Sequence, residues 1–162
     1  MRGCVITISV SVADSLIVKN TIPNASAVLF RKPETKRLRP LISELKHAGD
    51  WMFYLHLLQD GWIYYVADSL NKHRRHRNSV TLEAKGLDLF KELLLVQNTW
   101  LPRISVNSHV VDLIEKTRQS TYETLDLAGG KYLSYRDNPA LADLVLAHAW
   151  RGDSEKCGQP VP

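Results

Sequence analysis

Residues 51–97 read WMFYLHLLQDGWIYYVADSLNKHRRHRNSVTLEAKGLDLFKELLLVQ, and the fold turns on how the first sixteen of them are read. Asp60-Gly61 is a two-residue turn signal between aromatic-rich runs, which predicts a β-hairpin over residues 51–66. Trp51, Leu55, Leu58 and Trp62 also fall at spacings of four, three and four, which would suit a helix. The hairpin is preferred because Trp62 to Val66 is aromatic and β-branched and an interior Gly61 costs a helix about 1 kcal/mol. The basic run Lys72 to Arg77 then forms a loop, Ser79 to Leu82 a short strand, and Ala84 to Gln97 a helix. That helix carries Leu87, Phe90, Leu93 and Leu94 as a buried stripe; Leu89, Leu95 and Val96 widen it, so packing on two sides is expected.

Working outward, Ile6, Ile8, Val10 and Val12 alternate with Thr7, Ser9 and Ser11, the period of a half-buried strand over residues 4–12 rather than a secretory leader. Leu16 to Lys19 is its expected partner strand and Ala27 to Arg31 a short apolar one. Pro40 opens a helix that Gly49 stops. Beyond the centre, Trp100 to Val106 is read as an edge strand because Pro102 interrupts it. Asn107 or Ser108 caps a helix to about Leu125, with Val110, Ile114, Thr117 and Thr121 on one face. Gly129-Gly130 breaks the chain and Lys131 to Arg136 is extended. Asn138 caps a last helix with Pro139 first and Leu141, Leu144, Val145 and His148 inward, and residues 151–162 form a disordered tail. VADSL occurs twice, at Val12 to Leu16 and Val66 to Leu70, a shared strand-to-turn solution rather than a duplication. The fold class expected is therefore α+β: a single domain over residues 1–150, a mainly antiparallel sheet packed against three or four helices.

The chain has 162 residues, enough to bury roughly 70% of its unfolded surface in one core. Its 44% hydrophobic and 23% charged content is that of a globular protein. No stretch reaches the ~18 apolar residues of a membrane span, so the chain is expected to be soluble, and its cysteine usage points to the cytoplasm. Cys4 and Cys157 form no Cys-x-x-Cys motif, which excludes a zinc site or a disulfide framework and suits a reducing compartment.

Net charge is +4, concentrated in two clusters: Arg31, Lys32, Lys36, Arg37 and Arg39, and then Lys72, Arg74, Arg75 and Arg77 with His73 and His76. So many cations on one loop repel one another unless solvated or paired with anions, and phosphate suits the planar fork of Arg. These nine Lys and Arg residues are the candidate nucleic-acid contacts of a small, non-catalytic binding protein. DNA and RNA both fit, and a solubilising loop tip is the bland alternative.

Two local resemblances meet at Glu83-Ala84-Lys85-Gly86. The strand Trp62 to Val66, the loop Lys72 to Arg77 and the junction Leu82 to Gly86 resemble winged-helix DNA-binding proteins, which implies a basic wing. The would-be recognition helix, Trp51 to Gln59, departs from that pattern in being almost wholly apolar. Asp68 after one strand and Glu83-Ala84-Lys85 after the next resemble PD-(D/E)xK nucleases. That resemblance implies Asp68 and Glu83 holding Mg²⁺ and Lys85 orienting or activating water, with Glu44 available on the helix from Pro40. Here Ala67 stands where that class has proline, and Glu-x-Lys recurs at Glu34-Thr35-Lys36 and Glu44-Leu45-Lys46. A third class is a protein-interaction module using an aromatic surface around Trp51, Tyr54 and Tyr65. Ser108, His109 and Asp112 at a helix start are explained by capping rather than catalysis.

Overall fold

The structure is a computed structural model, and it describes residues 5–6, 15–22, 25–32, 42–58, 63, 65–66, 86–127, 129 and 131–149. Four helices dominate them: α1 (Gly49–Leu57), α2 (Gly86–Trp100), α3 (Ser108–Thr124) and α4 (Ala142–Ala149). Short 3-10 turns at Ala25–Ala27, Leu101–Arg103, Tyr135–Asp137 and Pro139–Leu141 connect or precede them. The expected α+β class, with its antiparallel sheet layer, is thus corrected to a helical fold. Among the described residues β-pairing is confined to one two-residue contact. Val5–Ile6 (β1) runs antiparallel to Tyr65–Val66 (β2), with Val5 opposite Val66 and Ile6 opposite Tyr65.

Residues 51–57 are helical, not the first arm of a hairpin. The reason lies in which side chains are buried: Trp51, Met52, Tyr54 and Leu55. A strand would send Trp51 and Met52 to opposite faces, whereas a helix turns positions i, i+1, i+3 and i+4 to one side. The apolar run is therefore a core helix. Burying each such side chain contributes about 1.5–3 kcal/mol, which outweighs the β-preference of its aromatics.

Gly49 starts α1 instead of stopping a helix from Pro40. Ala48, at the N-cap, offers no side-chain acceptor. Within the first turn the Trp51 N–H donates to Asp50 Oδ1 at 2.7 Å, and from α2 the Glu92 carboxylate accepts from the backbone N–H groups of Lys46, His47 and Ala48, which lead into the helix, at 2.9, 2.8 and 2.8 Å. A carboxylate at a helix N-terminus also meets the positive end of the dipole.

The second expected strand, Leu16 to Lys19, is a turn in which Val18 and Lys19 donate to the Ser15 carbonyl. Leu16, Ile17 and Val18 are all buried, and three consecutive inward residues cannot be had from a strand's alternation. Their carbonyls are satisfied by side chains instead of a ladder. Trp51 Nε1 donates to the Leu16 carbonyl at 2.7 Å, and Gln97 Nε2 to those of Val18 and Ile17 at 2.8 and 3.3 Å. Residues 27–31 form no strand either; Ala27 ends a 3-10 turn. Trp100–Val106 is likewise not an edge strand: Trp100 closes α2, buried, with its indole N–H on the Met52 sulfur at 2.9 Å, and Pro102 sits in the 3-10 turn after it. Residues 131–136 are not extended throughout, since Tyr135–Asp137 is a 3-10 turn.

Helix α2 runs between two apolar clusters, so the expected two-sided packing is present. Val96 and Trp100 join Leu16 to Val18, α1, Val110 and Ile114. Phe90 and Leu94 join Tyr122, Tyr135 and Leu141, and Leu93 packs against both groups. On α3, Asn107 is the cap, accepting from Val110 N at 2.9 Å. Its buried stripe is Val110, Ile114, Arg118 and Tyr122, a run of i+4 steps that leaves Thr117 and Thr121 at its margin. Asn138 caps the last helical segment through Ala140 N, with Pro139 at its first position and Leu141 buried. The side chain of His148 and the expected tail at 151–162 lie outside the described residues.

Candidate nucleic-acid interface

Two of the nine candidate cations, Arg31 and Lys32, fall within the described residues, and both are exposed. Lys36, Arg37, Arg39, Lys72, Arg74, Arg75 and Arg77 lie outside them, as do Asp68, Glu83 and Lys85. The segment that leads into Arg31 is fixed by alternate residues. Val28 packs against the core, Leu29 stands fully in water, and Phe30 returns to set its ring on Phe53 of α1.

The alternatives lose parts of their support. Trp51 and Tyr54 are buried in the core, so they form no aromatic docking surface. Helix α1 occupies the place of a winged-helix recognition element, yet it spends Trp51, Met52, Tyr54 and Leu55 on the interior. No polar row is left to read base edges. The nuclease order required the hairpin at 51–66 and the strand at Trp100–Val106; the first arm of one is helical and the other holds a 3-10 turn. Among the described residues no three His, Cys, Asp or Glu side chains gather to hold a metal ion. Ser108, His109 and Asp112 are exposed at the start of α3, where Asn107 supplies the cap.

The polar group that the sequence did not disclose is buried. Arg118, 1% exposed, donates from Nε to Gln97 Oε1 at 2.7 Å, from Nη2 to Asn98 Oδ1 at 3.0 Å and from Nη1 to Glu115 Oε1 at 3.1 Å. Glu115 Oε2 in turn accepts from Arg136 Nη2 at 2.7 Å and from the Tyr135 hydroxyl. Asn98 Nδ2 reaches the Leu144 carbonyl at 2.8 Å. The network ties α2, α3, α4, the Tyr135 turn and the Ser15 turn together. With its donors met by acceptors, it serves as a structural tie and not as an anion site. The one available cue was the i,i+3 pair Glu115–Arg118, which places Arg118 in step with Ile114.

Burial pushes the Tyr135 hydroxyl above its ordinary range; its hydrogen bond to Glu115 adds to the shift, and Arg118 opposes it. The Arg136 guanidinium is held up mainly by its own bond to Glu115. A phenol whose folded pKa exceeds its unfolded value of about 10 stabilises the fold below that pH. The contribution is lost as pH rises through the folded value. Tyr135→Phe should therefore lose stability against wild type at pH 8, and the gap should close above pH 10. Denaturation midpoints from pH 8 to 11 check this, and a gap constant across the range would refute it.

Charge is divided along the chain. Residues 31–39 and 72–77 together hold nine Lys or Arg and one acidic residue, a net +8, while the remaining chain is net −4. No protein-family model matches the chain, and neither the curated proteins nor the solved structures yield a significant match.

Proposed function

We propose that this protein binds nucleic acid without catalysis, holding phosphates through the Lys72–Arg77 run and the Arg31–Arg39 segment. The observation that carries this reading is the charge division: an acidic remainder bearing two short segments that together reach +8. A chain needing charge only for solubility gains nothing from such crowding, since like charges a residue apart repel; a polyanion relieves that repulsion and releases its own counterions. The exposure of Arg31 and Lys32 is in keeping with the same role. No helix among the described residues is long and apolar enough to cross a membrane.

The test is a salt titration. Replacing Arg74, Arg75 and Arg77 together with Ala should weaken nucleic-acid affinity and reduce the slope of log K against log salt by up to about 3, roughly one for each phosphate no longer held. The circular-dichroism melt should stay where it was. Unchanged affinity and slope would refute the proposal.

A further inference from the structure

We infer that Phe30, mounted on Phe53 and next to Arg31 and Lys32, is a base-stacking platform that gives this protein a preference for single-stranded nucleic acid. The inference rests on the nucleic-acid reading above and adds a substrate class to it. Phe30 is 47% exposed, and its ring rests against Phe53, the centroids 5.0 Å apart at an interplanar angle of 68°. Phe53 leads on to the buried Tyr54 at 6.2 Å. Rings thus step from the core to the surface, and the outermost keeps a large part of its area in water. An aromatic held this way gives up little rotamer freedom when something stacks on it.

The charges beside Phe30 select the partner. Arg31 and Lys32, the next two residues along the chain, are both exposed. A partly exposed aromatic followed by cations is the pairing that single-strand binders use, because every unpaired base has a face to offer and each nucleotide brings a phosphate. A duplex keeps its base faces inside the stack and would meet only the cations.

The experiment measures binding of the full chain to a labelled mixed-sequence single strand and to the same sequence as a duplex. Wild type is compared with Phe30→Ala, Phe30→Leu and Phe30→Trp. Phe30→Leu keeps an apolar group against Phe53 but has no π-face, so it separates stacking from packing. The expected result is tighter binding of the single strand by wild type, with Ala and Leu both losing about 5- to 150-fold on it, Trp retaining it, and duplex binding unmoved. Wild-type single-strand affinity in the Phe30→Leu protein, or equal losses on duplex and single strand, would overturn the inference. If wild type binds duplex through residues 72–77 while Phe30 makes no difference, this inference alone falls. Failure to bind any nucleic acid overturns both it and the proposed function. Phe30-dependent binding to phosphatidylserine vesicles, with no effect of Phe30 on oligonucleotides, would overturn it in favour of a lipid surface.

Discussion

Arg118→Ala is expected to destabilise the fold by about 3–5 kcal/mol, a large share of the roughly 5–15 kcal/mol that holds a domain of this kind together. The guanidinium is desolvated almost completely, and it does not stand there for the sake of one ion pair. It divides its donors among Gln97, Asn98 and Glu115. Truncation leaves a cavity and strips the donor from Gln97 Oε1, whose own amide is committed to the Val18 and Ile17 carbonyls. The Ser15 turn, α2 and α3 are loosened together. Arg118→Met fills most of the volume and leaves chiefly the unmet acceptors, which cost about 1–3 kcal/mol each when buried. Glu115 keeps Arg136 and Tyr135 in either variant. Urea midpoints at unchanged m-value measure both, and the Met protein should fall between wild type and Ala. An Ala variant within about 1 kcal/mol of wild type would show that the network adds nothing net.

Helices α2 and α3 and the Asn138 cap were legible in the sequence, and α1 and the Leu16–Val18 turn were not, for a physical reason. Helices α2 and α3 and the Asn138 cap are specified by local signals: an apolar stripe, an Asn whose side chain reaches its own helix, a Pro at a first turn. Helix α1 and the Leu16–Val18 turn depend on distant partners. The chain entering helix α1 is held by Glu92, more than forty residues on, which accepts from the N–H of the N-cap residue Ala48. Leu16 to Val18 looked like a strand because three apolar residues require burial and three carbonyls require donors, and a strand provides both locally. Here the donors come from Trp51 and Gln97. The Asp60-Gly61 pair favours a hairpin on local grounds, but residues 51–57 lack the period-two alternation a strand requires.

For the candidate site the division differs. Charge clustering needs no fold to be seen, so Arg31, Lys32 and the Lys72–Arg77 run are evident from the sequence alone. The half-exposed Phe30 is not, because its significance comes from Phe53 across a contact that no periodicity announces. Trp51 and Tyr54 err in the opposite direction: large aromatics suggest a docking surface until they are placed in the core.

Phe90→Ala is expected to cost about 3–5 kcal/mol, comparable with the loss at Arg118 but by way of packing. Phe90 is fully buried, with Tyr122 at 5.5 Å and Tyr135 at 5.8 Å between ring centroids, the latter edge-to-face. These rings hold the second apolar cluster, and each also places a polar group. The Tyr122 hydroxyl accepts from Asn138 Nδ2 at 3.0 Å, while Asn138 Oδ1 caps the turn that leads into α4. Tyr135 carries the hydroxyl that meets Glu115. Removing the phenyl ring therefore leaves a cavity and also frees both tyrosines from the positions in which they orient Asn138 and Glu115. Phe90→Leu retains most of the apolar burial and forfeits the ring contacts, each worth about 0.5–1.5 kcal/mol beyond area, so its loss should be near 1–2 kcal/mol. Hydrogen exchange distinguishes the mechanism from general weakening. Under native conditions the amides of α4 should lose protection in the Ala variant before those of α1, which packs in the other cluster. If α1 and α4 lose protection together, the two clusters unfold as one unit, and the assignment of Phe90 to anchoring α4 is wrong.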